Sequence, residues 1–334
     1  MHSTRYIHYI YIIGIAFLLH GCDKNALDSA SHAISMSPSQ VSGGTRALIE
    51  DVDDLTNLGF VVYAHKTVNG QSAQVFDNEV VYNAGGAWTY DNLKYWNGGA
   101  DYCFGAYTPR DVNATKTVTG SIVTSVGFTM PHWQVIDSNV EDLIVATSQG
   151  RGDSYLNAGG VVDLTFDHVY AQLVVRVIRS ASLQNTYKLT SIAYSNVPIV
   201  DGTATYTLDY TTPTNSGWEE VDMLAADAWV TAFSHSGEVI NSNPEDTPGA
   251  KHLVVPFALS GDNEVQVKVS YIVNDGLAQT GSANTGIKQL EAGKRYVLTL
   301  SLGGGAAITP SLDIEEWIQD EKETEVNEDD KHNW

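Results

Sequence analysis

The chain has 334 residues, with 18 lysines and arginines against 40 aspartates and glutamates, for a net charge of −22. So acidic a protein is unsuited to nucleic acid and to electrostatic docking on anionic lipid. Its two cysteines, Cys22 and Cys103, exclude a disulfide-stapled scaffold, and the length suits about two domains that hold together by packing.

The first 22 residues read MHSTRYIHYIYIIGIAFLLHGC. Arg5 supplies a positive start, and residues 7–19 form a mainly apolar run of 13 residues. A spanning helix needs about 20 apolar residues, so this run fits the apolar region of a signal peptide. It ends in Leu19-His20-Gly21-Cys22, which resembles the lipobox of bacterial lipoproteins, with His20 where a small residue is usual. Residues 1–21 are then a lipoprotein signal peptide, and the Cys22 thiol is the lipid acceptor. Each buried CH₂ of an acyl chain contributes about 0.8 kcal/mol, so several chains on one cysteine anchor stably. With Cys22 acylated, Cys103 has no partner and reads as a buried structural thiol.

Residues 22–46 are small and polar, the composition of a linker. Beyond them come short β-branched and aromatic runs separated by Gly, Asn, Asp and Pro, which is an all-β texture. Strands are predicted over 47–51, 60–66, 74–82, 87–90, 101–107, 122–129 and 143–147. Asn69-Gly70, Gly85-Gly86 and Gly98-Gly99 mark turns that need positive φ. After the Gly-rich stretch at 149–160 a second series is predicted over 161–166, 171–178, 188–194, 203–209, 228–233, 252–258, 264–273 and 295–302. The alternation in VQVKVSYIV and YVLTLSL implies one buried and one solvated face. The pattern predicts two tandem β-sandwich domains, over 47–157 and 158–319. Residues 320–334 form an acidic tail, read as solvated.

No GxSxG, P-loop, HExxH or CxxC pattern is present, and the ten histidines show no paired ligand spacing, so neither a cofactor nor a metal is expected. Arg151-Gly152-Asp153 matches the tripeptide of integrin ligands but lies in a Gly-rich loop. Trp88, Trp96 and Trp133 suit either a core or a sugar-stacking platform. Arg46 is the only basic residue between Lys24 and Lys66, and it follows Ser42-Gly43-Gly44. An Arg-specific protease needs such an exposed, extended site and would leave Ala47 as the new N-terminus.

KYWNGGADYCFGAYTPRD (94–111), LTFDHVYAQLVVRV (164–177) and LEAGKRYVLTLSL with ITPSLDIEEWIQD (290–320) occur in the order and spacing of the fimbrillin family of Bacteroidetes, which the chain resembles over about residues 47–320. The resemblance implies transthyretin-like sandwiches and a non-catalytic fimbrial subunit. It implies export as an outer-membrane lipoprotein and cleavage after Arg46. It further implies a groove opened in the N-terminal sandwich and filled by a strand of another subunit, with other fimbrial subunits and host or bacterial surface ligands as partners. Residues 32–41 would be the displaced strand. ITPSLDIEEWI, with Ile308, Leu312, Ile314 and Trp317 as plugs, would be either the donor or the last strand of its own sandwich. A glycan-binding surface lipoprotein is the alternative, and a glycoside hydrolase the third reading.

Overall fold

The computed structural model describes residues 32–42, 49, 52–136, 142–219, 221–225, 227–243, 249–303 and 308–316. The expected signal peptide, Cys22, Arg46, Ala47, Trp317 and the acidic tail lie outside the described residues. So does most of the strand expected at 47–51.

The protein is all-β. The strands of the first half are β1 (Ser35–Ser42), β2 (Phe60–Val68), β3 (Gln71–Ala84), β4 (Ala87–Thr89), β5 (Asp101–Thr108), β6 (Ala114–Thr119), β7 (Ile122–Pro131), β8 (Trp133–Val135) and β9 (Ile144–Arg151). There follow β10 (Val161–His168), β11 (Ala171–Arg179), β12 (Tyr187–Ser195), β13 (Thr203–Asp209), β14 (Gly217–Trp218), β15 (Val230–Val239) and β16 (Gly249–Val254). The last are β17 (Phe257–Ala258), β18 (Gln266–Val273), β19 (Ala278–Asn284), β20 (Gln289–Leu290), β21 (Lys294–Leu302) and β22 (Ile308–Glu316). Among the described residues, two short α-helices, α1 (Val52–Leu58) and α2 (Gly152–Asn157), and a 3₁₀ turn at Pro213–Asn215 interrupt them. The strand expected at 252–258 is split into β16 and β17 at Pro256, which has no N–H for a ladder.

Seven strands form one sheet in the order β1-β10-β9-β5-β2-β3-β4. β2 and β3 turn at Asn69-Gly70 and β3 and β4 at Gly85-Gly86, all four residues at positive φ. Gly98 and Gly99 do form the expected turn, closed by the Ala100 N–H on the Asn97 carbonyl at 3.1 Å, but neither glycine is at positive φ. β10 pairs with β9 only at its last two residues, Asp167 and His168. The inward residues Val162, Leu164 and Phe166 meet Phe60, Val62 and Phe104 in one core, with Phe166 edge-on to Phe60 at 5.5 Å. The sheet thus curls on itself until its end strands, β1 and β4, touch.

β2 is buried on both faces. Phe60, Val62 and Ala64 face that core, while Val61 and Tyr63 face a second one. The second core lies under the sheet β14-β13-β7-β6, where β13 pairs antiparallel with β7 from Thr203 against Pro131 to Asp209 against Ser125. The third core lies between β22-β21-β11-β16-β8 and β15-β12-β18-β19, filled by Leu173, Val175, Leu189, Ile192, Val267, Val269, Leu298 and Leu300. The two halves of the chain interleave. β10, from beyond residue 158, completes the seven-stranded sheet; β13 and β14 join β6 and β7; and β8 joins β16 at Trp133–Val254.

Candidate functional site: the slot held by β1

β1 is an unusual strand for its sequence. ISMSPSQV (34–41) has one β-branched pair separated by serines and a proline, yet it forms eight residues of sheet. It runs parallel to β10, from Ser35 beside Val161 to Ser42 beside Asp167, with a one-residue irregularity between Pro38 and Gln40. That extra residue resets the alternation, so Ile34, Met36, Pro38 and Val41 all point inward. Ile34 and Met36 are 1% and 3% exposed and Val41 6%. Burying three such side chains contributes about 5–9 kcal/mol before the cost of ordering the strand.

The main chain at the start of β1 is bonded on both edges. Ile34 N–H donates to the Lys94 carbonyl at 2.8 Å, and Trp96 N–H donates to the His32 carbonyl at 3.1 Å. On the opposite edge Ser35 N–H donates to the Gly160 carbonyl at 3.2 Å. The Tyr90 hydroxyl donates to the Ile34 carbonyl at 2.7 Å and accepts from Lys94 N–H at 3.2 Å. Burial pushes the Tyr90 hydroxyl up, against the opposing pull of the Lys94 amide, so it stays a neutral donor. Trp96 Nε1 donates to the same Gly160 carbonyl at 2.9 Å. The Trp96 ring stacks on Tyr155 at 4.7 Å and meets Tyr102 edge-on at 4.8 Å. Because strand residues alternate, the N–H of position 38 faces the edge away from β10, where Pro38 has no ladder bond to lose.

The other sites read from the sequence resolve differently. Trp96 and Trp133 are 5% and 7% exposed. They lie in different cores, and Trp88 packs on Phe60 at 5.3 Å, so the three form no sugar-stacking platform. Arg151 is ion-paired to Asp153 at 3.3 Å and to Asp101 at 3.6 Å. Gly152 is buried against the Asn97 carbonyl, so the tripeptide is not an extended loop. Cys103 is a half-buried thiol whose pKa is raised first by burial and then by Asp101 and Asp209, the opposite of a reactive thiolate.

His168 Nδ1 bonds Asp142 Oδ1 at 3.0 Å with both side chains fully buried. A cleft of about 290 Å³ beside His168 contains Ser216. Its hydroxyl accepts from Asp209 N–H at 2.9 Å and lies 3.3 Å from the Asp209 carbonyl, so it is engaged as a turn-former rather than aimed at the histidine. No group of three or more metal-ligating side chains occurs among the described residues. β22 lies on its own β21, paired from Ile308 with Leu302 to Glu316 with Lys294. Ile314 there is 57% exposed. Among the described residues, the slot under β1 and the fully paired β22 with its exposed Ile314 are the features left to explain.

A fimbrillin-like family profile matches residues 45–317, and the chain belongs to that family. A fimbrial protein of Bacteroides vulgatus has a similar fold, with a TM-score of 0.60 at 16% identity over 83% of this chain and 99% of that one. The tip fimbrial protein Mfa3 of Porphyromonas gingivalis, truncated at its C-terminus, aligns over 86% of this chain and 100% of that one, at 8% identity and a TM-score of 0.38. No curated protein matches the chain.

Proposed function

We propose that the chain is a non-catalytic subunit of a cell-surface fimbrium, serving adhesion. It is exported as a lipoprotein acylated on Cys22, carried to the outer membrane and cut between Arg46 and Ala47. Another subunit's strand then takes the place of β1. The observation that carries this reading is the position of β1. It is an end strand of its sheet, it precedes Arg46, and its inward residues Ile34, Met36, Pro38 and Val41 occupy the core. One cut at Arg46 severs this strand and no other described one. Its withdrawal bares an apolar trough and the unpaired edge of β10.

The C-terminal strand supports the reading as a donor. The inward spacing at 34, 36, 38 and 41 recurs at Pro310, Leu312, Ile314 and Trp317. β22 sits at the edge of its sheet, and Ile314 is exposed there, so peeling it costs less than peeling a central strand. If Arg46 is left uncut, the same chain stays tethered through Cys22 as an anchor subunit. The two-sandwich, transthyretin-like description belongs to this reading, with interleaved strands as the tie between the halves.

The test is limited digestion of the full chain with a trypsin-like protease, followed by N-terminal sequencing and electrophoresis without boiling. An N-terminus at Ala47 together with a ladder of oligomers is the expected result. A trimmed protein that stays monomeric at high concentration sinks the assembly reading.

A further inference from the structure

The slot is not the same at its two ends. At residues 32–34 the β1 main chain is bonded to residues 94–96 and to the Tyr90 hydroxyl on one edge, and Ser35 is tied to Gly160 on the other. From Ser35 to Ser42, among the described residues, its main chain pairs with β10 alone, and the irregularity between Pro38 and Gln40 interrupts even that ladder. Tyr90 sits on the edge of residues 94–96, across β1 from the Gly160 bond. Its hydroxyl takes the Lys94 amide and gives to Ile34, joining segment 94–96 to β1 through one atom. Its ring is fixed edge-on against Phe76 at 5.1 Å. Trp96 Nε1 donates to the same Gly160 carbonyl that accepts from Ser35, so this acceptor is held by a group outside β1 as well.

We propose that Tyr90 and residues 94–96 form a clamp that closes one end of the slot, so that β1 opens from its Ser42 end and is released at Ile34 last. Tyr90 is the positioning residue. Opening proceeds where one row of hydrogen bonds and one bulge hold the strand, and it stalls where two rows and a buried hydroxyl hold it. A replacement strand seats in the reverse direction. It gains the Lys94 and Gly160 bonds only if it carries an N–H at the positions of both Ile34 and Ser35, so proline is disfavoured at either. The direction is a property of the uncut protein; its role in exchange rests on the strand-replacement reading above.

Amide hydrogen exchange on the full chain, before and after trimming at Arg46, tests the clamp. In the uncut protein residues 39–42 should exchange at least about tenfold faster than residues 33–36. Tyr90→Phe keeps the ring on Phe76 and removes both hydrogen bonds of the hydroxyl, to the Ile34 carbonyl and from the Lys94 N–H. It should speed exchange at 33–36 and release of the trimmed fragment by about fivefold, with β18 and β21 unchanged. A uniform or reversed gradient along β1 overturns the proposal. So does a Tyr90→Phe protein that exchanges like the wild type, or one loosened equally throughout, which marks a merely structural tyrosine. If the gradient and the Tyr90 effect both appear but the trimmed chain keeps its fragment and never oligomerises, the clamp stands and strand replacement falls.

Discussion

Gly105 of β5 lies directly beneath the ring of Tyr210. A Cβ built on Gly105 would stand 2.6 Å from Tyr210 Cδ1 and 2.8 Å from its Cβ. The Tyr210 hydroxyl also donates to the Val123 carbonyl. The glycine belongs to the seven-stranded sheet, and the tyrosine follows β13 from the far half of the chain, so this contact fastens the interleaved halves.

Gly105→Ala should therefore destabilise the whole protein, not only one strand. Overpacking of this kind costs about 1–3 kcal/mol. Urea titration read by both Trp fluorescence and circular dichroism should show a lower midpoint with an unchanged slope. A midpoint equal to the wild type would mean that the tyrosine ring moves aside freely.

His252 provides a pH dependence. It is buried against Trp133 at 5.2 Å and Tyr194 at 5.9 Å, and desolvation pushes its pKa down to about 4 from 6.5. The folded state thus binds fewer protons than the unfolded state between these values. Stability is fully present above pH 6.5 and is lost as pH falls toward 4, by about 3 kcal/mol from this group. Urea midpoints at pH 7.5, 5.5 and 4.5 should fall in that order, and His252→Gln should flatten the decline. An unchanged slope in the variant would assign the acid sensitivity elsewhere.

Pro310 tests the register of the donor. In the alignment that matches apolar spacing, Pro310 falls on the position of Ile34, whose N–H bonds Lys94. Restoring an N–H with Pro310→Ala should tighten binding of a peptide spanning residues 308–318 to the trimmed subunit by about fivefold. Equal or weaker binding would indicate a strand seated two residues along, with Ile308 in that place.

Cys22→Ser should abolish incorporation of labelled fatty acid and leave the subunit soluble. Arg46→Gln should leave it acylated and untrimmed. Mass spectrometry of the surface protein separates the two; trimming at Ala47 in the Arg46→Gln protein would show that the cut does not depend on arginine.

The strands with strict alternation were legible from the residues alone. β10 buries Val162, Leu164 and Phe166 and exposes the residues between. β18 follows the same rule over Gln266–Tyr271, and β21 does so from Leu298 to Leu302, because one less buried face makes polarity alternate. β2 was legible as a strand but not as one with two buried faces, since its partners β7 and β13 arrive from distant sequence. β6, a solvated edge strand reading ATKTVT, carries no apolar period and gives no signal. α1 was hidden because a seven-residue helix with Leu55 as its single buried side chain has no measurable periodicity. In the slot, Ile34 and Met36 were readable as one face. Val41 was not, because a bulge shifts its parity, and a bulge leaves no trace in hydrophobic pattern. Tyr90 and Trp96 were readable as aromatic but not as donors to carbonyls 56 and 64 residues away.

β1 is the first described strand and its neighbour β10 comes more than a hundred residues later, so nothing threads through it. While the link after Ser42 is intact, β1 meets its slot at an effective concentration of about millimolar or above. A single broken peptide bond converts this internal element into a ligand. Occupancy of the slot then obeys mass action, and its contribution to stability follows the logarithm of free strand concentration over its dissociation constant. Before the cut, dilution has no effect on the fold; after it, under the strand-replacement reading, the local concentration of strands sets how often the slot is filled.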